Sequence, residues 1–238
     1  MRKTALIIGA SGDIGSEIAI QLGKEGYQLL LHYNRNRDML VRVREQVERE
    51  SILAELQCDM SNIEAVKQLL AALVFRVDII IFASGNAYYG LFQEMPIEKI
   101  DEMLTIHVKA PMMITKHLLP EMIRNKSGRI IFITSIWGEV GASNEVVYSA
   151  LKGAQNTFVK ALAKEVGASG ITVNAVSPGY IDTKMNGHLL AEEKDSILAE
   201  IPVHRAGTSK EVAHTISFLM HEQAGYINGE IIGMNGGW

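Results

Sequence analysis

Ser135, Tyr148 and Lys152 are the residues whose types and spacing could carry acid–base chemistry, within the segment SIWGEVGASNEVVYSALKGA at 135–154. Tyr148 and Lys152 are four residues apart and share one face if this stretch is helical, while Ser135 closes an apolar, strand-like run. A phenol with a pKa near 10 is a poor acid at neutral pH, but an ammonium group within about 4–6 Å can lower that value by roughly one to three units. A serine hydroxyl facing the pair could hold a substrate carbonyl and orient it for hydride transfer. Taken alone, the Tyr–Lys pair equally fits a buried tyrosine beside a lysine that extends toward water. What converges around it therefore decides the reading.

A second constellation lies at the N-terminus, where IIGASGDIGSEIA (7–19) carries Gly9, Gly12 and Gly15 at the junction of an apolar run and an amphipathic one. Glycines at a strand-to-helix turn admit positive φ and a close neighbour, and the free N–H groups of the following helix favour an anion. The pyrophosphate of a dinucleotide is such a guest, although a ligand-free corner would read the same way. The next strand candidate ends in His32-Tyr33-Asn34-Arg35, with no acid until Asp38 and with Arg35 and Arg37 basic. An acid near this position selects NAD and an arginine accommodates a 2′-phosphate, so the sequence favours NADP unless both arginines merely solvate a loop. After the third strand candidate, Asp59 could cap the next helix or bond an adenine amino group.

The elements that must position these residues alternate. Strands are expected at 4–10, 27–33, 52–58, 77–83, 129–135, 171–177 and 229–234. Helices are expected at 14–25, 38–50, 62–73, 97–124, 146–168 and 209–221, with Gly26 and Gly170 as stop signals. Several strands are apolar on both faces, as in a parallel sheet covered by helices. The expectation is one α/β domain spanning 1–238, a Rossmann-type doubly wound parallel sheet of about seven strands with helices on both faces. Ligands in such sheets sit beyond the carboxyl ends of the strands, where all the residues above fall.

Composition agrees with that class. The 238 residues are 47% apolar and 21% charged, enough for one large core, and the net charge of −4 argues against nucleic acid as a partner. The lone Cys58 excludes an internal disulfide and a multi-cysteine zinc site. The basic pair and apolar run at the start are broken too early for a signal peptide, and no run approaches the roughly 18 apolar residues of a membrane span, so a soluble cytoplasmic protein is expected.

Taken together, GASGDIG, Asp59, the Ser135…Tyr148-x-x-x-Lys152 set, NAVSPGYIDTKM at 174–185 and the tail from IPVHRAG to MNGGW resemble the short-chain dehydrogenase/reductase family, and within it the 3-oxoacyl-carrier-protein reductases. The resemblance implies that Tyr148 is the general acid of ketone reduction, that Lys152 lowers its pKa and holds the nicotinamide ribose, and that Ser135 positions the carbonyl. It implies an NADP site built from Gly9, Ser11, Gly12, Asp13, Ile14 and Gly15, from Asn34, Arg35, Asp59 and Met60, and from Ala83, Ser84 and Gly85. Tyr148, Lys152, Pro178, Gly179, Ile181 and Thr183 complete that site. It also implies a homotetramer, for which the helix 146–168, with Phe158, Val159 and Leu162, and the apolar C-terminal run would supply contact surface.

Three positions depart from the family pattern. Ile8 replaces a threonine and Asp13 a glycine in the first turn, Phe82-Ala83-Ser84-Gly85 lacks both asparagines of the usual segment, and His107 stands where an asparagine joins the catalytic set. His107 either carries a proton or water in that set or simply packs in a helix bend. The segment 185–202 corresponds to the family's substrate lid, and Arg124, Lys126 and Arg129 are the basic group that a carrier protein could dock on. The expected activity is NADPH-dependent reduction of a ketone, first a 3-oxoacyl thioester. The alternatives are a small or protein-attached aminoketone, as in the reductases that complete a ketone-bearing modification on elongation factor P, and a dinucleotide-binding sensor with weakened catalysis.

Overall fold

The protein was analysed as a computed structural model that describes residues 2–187 and 189–238; His188, within the expected lid, lies outside the described residues. Seven parallel strands form one sheet: β1 (Thr4–Ile8), β2 (Gln28–Tyr33), β3 (Ile52–Gln57), β4 (Ile79–Phe82), β5 (Gly128–Ile133), β6 (Ile171–Pro178) and β7 (Ile231–Met234). Their order is β3-β2-β1-β4-β5-β6-β7. The chain therefore winds outward in both directions from the β1/β4 boundary, and a crevice opens at that boundary beyond the carboxyl ends of the strands.

Alternation along the strands sorts the core into two layers. Leu6, Ile8, Leu30, Ile80, Phe82, Ile130 and Phe132 pack with α3 (Ile63–Ala72), α5 (Ala110–Asn125) and α7 (Val146–Val166). Ile7, Leu29, Leu31, Ile79, Ile81 and Ile131, one residue out of phase, pack with α1 (Asp13–Lys24), α2 (Val41–Gln46) and α9 (Ser209–Met220). Burying one such side chain completely contributes about 1.5–3 kcal/mol, and both layers are filled. Val159 and Leu162 belong to the first layer rather than to an outer face, which corrects one argument for assembly. Exposed apolar side chains include Ile97, Leu104, Met112 and Phe218, on α4, α5 and α9.

The run expected as one helix over 97–124 is broken. α4 (Ile97–Leu104) passes through one π-helical turn, Thr105–Lys109, before α5 begins. Pro111 is the cause: it lacks the amide that would bond the His107 carbonyl four residues back. The side chain of Gln155 on α7 supplies that bond instead, Nε2 donating to the His107 carbonyl at 2.6 Å. Insertions of this kind gather at functional sites, and this one turns His107 inward. Two helices escaped the periodicity reading, α6 (Trp137–Val140) and α8 (Ala191–Glu200), the latter within the expected lid.

Candidate active site

A cleft of about 730 Å³ opens at the β1/β4 crevice, lined by Gly9, Ser11, Gly12, Asp13 and Ile14 from the first turn, Asn34 and Arg35 after β2, Asp59 and Met60 after β3, Ala83, Ser84 and Gly85 after β4, and Thr183 after β6. These are thirteen of the positions expected to hold a dinucleotide. Gly9 lies at φ +92°, and a Cβ there would come within 2.6 Å of the Ser84 amide, so only glycine lets β1 and β4 end so close together. Gly15 does not line the cleft. It closes the turn from behind, where a Cβ would strike the Gly9 carbonyl at 2.1 Å. The N-terminus of α1 has no side-chain cap. Its first amides therefore face the cleft without a protein acceptor of that kind, the arrangement that receives phosphate. A dinucleotide fits the glycine cradle, the uncapped helix and the volume alike.

At the end of β2, Arg37 is engaged by Glu55, its Nε donating to that carboxylate at 2.8 Å, and Arg44 bonds the same carboxylate at 2.6 Å. Arg35 alone of that pair lines the cleft. Asp59 does not cap α3. Asn62 does, accepting from the amides of Glu64 and Ala65, while Asp59 accepts from the Ser61 amide and hydroxyl at 2.9 and 2.7 Å. Those bonds, with the charge of Arg35 adding, hold the Asp59 carboxyl below its ordinary range. Pro178, Gly179 and Ile181 are not among the residues that line the cleft. Pro178 pairs with Met234 of β7, the Gly179 amide bonds the Met234 carbonyl, and Ile181 is buried in the second core layer.

The catalytic candidates lie deeper, between β5 and α7. Ser135 directly follows β5 and accepts from the Trp137 amide at 3.2 Å, while its hydroxyl stands in hydrogen-bond contact with Tyr148. Tyr148 is in the first turn of α7 and Lys152 one turn on, with Nζ 5.4 Å from the centre of the phenol ring and donating to the Ile133 carbonyl at 2.8 Å. The expected lowering of the phenol pKa by the ammonium does not appear in the protein by itself. Burial pushes Tyr148 up, Glu145 adds to the rise, and the Ser135 hydrogen bond opposes both. Burial also brings Lys152 down, to about 7, so the charge that would stabilise a phenolate is itself costly to keep.

His107 joins this group edge-on to Tyr148, the ring centroids 5.6 Å apart. Nε2 lies 2.8 Å from the Asn86 carbonyl and 3.3 Å from the Asn86 amide, and Nδ1 is buried without a hydrogen-bond partner. Asn86 and Gly85 line the dinucleotide cleft, so His107 sits between that cleft and the phenol.

Three comparisons address this geometry. A family profile described as enoyl-(acyl carrier protein) reductase matches residues 9–238. The chain is 47% identical to the uncharacterized oxidoreductase YmfI of Bacillus subtilis, over 100% of this chain and 99% of the relative. It is 33% identical to the 3-oxoacyl-[acyl-carrier-protein] reductase FabG of Staphylococcus epidermidis, with 100% and 99% covered. The chain belongs to the short-chain dehydrogenase/reductase family. Among solved structures of that family, YwfH, an NADPH-dependent reductase involved in bacilysin biosynthesis, superposes with a TM-score of 0.91 at 26% identity, covering 100% and 98%. A putative NAD(P)-dependent gluconate 5-dehydrogenase of Beutenbergia cavernae with bound NADP gives 0.93 at 27%, covering 99% and 96%. This short-chain dehydrogenase/reductase is thus an oxidoreductase that works with a nicotinamide cofactor, and no helix of its described residues is long and apolar enough to cross a membrane.

Sequence reading missed two parts of the site. Asp13 Oδ2 accepts from the Lys184 amide at 2.7 Å, tying the glycine turn to the segment after β6 that forms the opposite wall. His32 also lines the cleft, and the visible sign of it was one polar residue inside the apolar strand QLLLHY.

The two buried imidazoles set an expectation for stability. Burial lowers His32 to about 4 and His107 to about 3, whereas an unfolded histidine titrates near 6.5. The unfolded chain therefore binds protons first as pH falls, and stability is lost from about pH 6.5 down toward those values. With two groups at about 1.4 kcal/mol per unit each, the loss between pH 7.5 and 5 reaches about 4 kcal/mol. Urea unfolding midpoints at the two pH values measure it, and His107→Asn should halve the difference.

Proposed function

We propose that the protein reduces a ketone to a secondary alcohol with NADPH, using Tyr148 as the general acid. The observation that carries this reading is the meeting of Ser135, Tyr148 and Lys152 beside a cleft shaped for a dinucleotide. When bound, the nicotinamide cofactor supplies the hydride. Ser135 holds the carbonyl oxygen with its hydroxyl while the backbone amide of Trp137 fixes the Ser135 oxygen. Tyr148 must arrive protonated in the reductive direction, and its raised pKa keeps it so. The phenol proton then passes to the developing alkoxide, and Lys152 steadies the phenolate left behind. His107, neutral across the assay range, joins the same proton path through its unpartnered Nδ1.

The relatives named 3-oxoacyl-[acyl-carrier-protein] reductase support a 3-oxoacyl thioester as substrate. The basic group expected to dock its carrier does not: Lys126 ends α5 and Arg129 begins β5, whereas Ser135 follows the other end of that strand, about 20 Å away. Arg124, Lys126 and Arg129 are thus at the amino ends of the strands. The outside charge that reaches the Tyr148 hydroxyl is that of Glu145, which favours the second reading, a cationic aminoketone, free or protein-attached. Rates of NADPH oxidation with an acetoacetyl thioester and with an aminoketone test both. A higher kcat/KM for the thioester supports the first, and a preference for the aminoketone that falls in Glu145→Gln supports the second. No oxidation with either overturns the activity. The assembly we propose is a homotetramer, burying Ile97, Leu104, Met112 and Phe218, apolar side chains that one chain leaves exposed.

A further inference from the structure

We propose that His32 is a positioning residue for the dinucleotide, its ring joining the ends of three strands and holding the first amide of the glycine turn. The proposal rests on the dinucleotide reading of the cleft. The Gly9 amide, at the end of β1, donates to His32 Nδ1 at 3.0 Å. A ring nitrogen that accepts carries no proton, so the proton is on Nε2, which donates to the Cys58 carbonyl beyond β3 at 2.9 Å. The backbone repeats the join, for the Ala10 amide donates to the His32 carbonyl at 2.9 Å and the Cys58 amide to the Tyr33 carbonyl at 3.0 Å. His32 is 2% exposed, yet it lines the cleft between the glycine turn and Asp59.

One side chain thereby satisfies two buried backbone groups that no other side chain among the described residues bonds, and it does so only in one tautomer. Without it the Gly9 amide has to find another acceptor, and the positive-φ turn that leaves the start of α1 open to phosphate loses its anchor. The catalytic group stands on β5 and α7 and bonds neither Gly9 nor Cys58. Loss of His32 should therefore be read in dinucleotide affinity and not in the chemical step.

The two ring nitrogens can be separated by substitution. The amide of asparagine reaches the position of Nδ1 and keeps the acceptor for Gly9; that of glutamine reaches toward Nε2 and keeps the donor for Cys58. Fluorescence titration with NADPH and with NADH measures affinity, and steady-state turnover at saturating NADPH measures the chemistry. His32→Leu and His32→Gln should each weaken both dinucleotides about 10- to 100-fold and by the same factor, because the turn does not touch the 2′-phosphate. His32→Asn should stay within a fewfold of wild type, and kcat should hold within about twofold in all three. Wild-type affinity in His32→Gln, equal losses in His32→Asn and His32→Gln, or a kcat that falls with affinity would each overturn the assignment. A wild type that binds neither dinucleotide overturns instead the reading of the cleft, and the proposal with it.

Discussion

Tyr148→Phe should lower ketone reduction by about 10²- to 10⁴-fold while NADPH binds with nearly wild-type affinity. The substitution removes one oxygen and leaves the ring, its edge contact with His107 and the helix that carries it. What disappears is the proton donor that meets the alkoxide, together with its hydrogen bond to Ser135. The loss should fall on kcat and kcat/KM alike, because this bond is made to charge that develops only in the transition state. Lys152 responds in the same experiment. Burial disfavours its ammonium, and the phenol face and the Ile133 carbonyl offset part of that cost. Steady-state rates over NADPH concentration, paired with a binding titration, check the result. Parental rates in Tyr148→Phe would remove the phenol from the mechanism.

Arg35→Asp should reverse the choice of dinucleotide. The glycine turn and α1 bind pyrophosphate through backbone groups and treat both cofactors alike, so discrimination falls to the end of β2. Arg37 is occupied by Glu55, which leaves Arg35 as the guanidinium on the cleft at that end. A charge-assisted bond to a 2′-phosphate is worth roughly 1.5–3 kcal/mol, and the preference for NADPH should be on the order of tenfold to a few hundredfold. A carboxylate in its place repels the phosphate and accepts from free ribose hydroxyls. The ratio of kcat/KM for NADPH and NADH should therefore invert in the variant. A wild type that uses both equally, or a ratio that Arg35→Asp leaves untouched, would make Arg35 a solvated loop residue.

The framework was legible because it is local and periodic. Runs such as TALII and DIIIF read as strands covered on both faces, and each expected strand contains or overlaps an observed one. The glycine turn, Ser135, Tyr148 and Lys152 were legible because turn chemistry and helical spacing place them at strand ends. What stayed hidden depends on partners distant in sequence. The π turn at His107 needs both Pro111 and the Gln155 side chain, 48 residues away from the carbonyl it bonds. The fate of Arg37 was decided by Glu55 on the next strand. Val159 and Leu162 read as an outer face only until the direction in which α7 packs is known. The upward shift of Tyr148 likewise comes from burial, which spacing does not reveal.

The most direct test of the central claim is transfer of the label from NADPH deuterated at the nicotinamide C4 to a ketone, read by mass spectrometry of the product. The account predicts a secondary alcohol carrying one deuterium on the carbinol carbon with wild type, and about 10²- to 10⁴-fold less of it in the same time with Tyr148→Phe. Tight NADPH binding with no labelled alcohol from either a 3-oxoacyl thioester or an aminoketone would contradict it, and would leave a dinucleotide-binding protein without the proposed reductase chemistry.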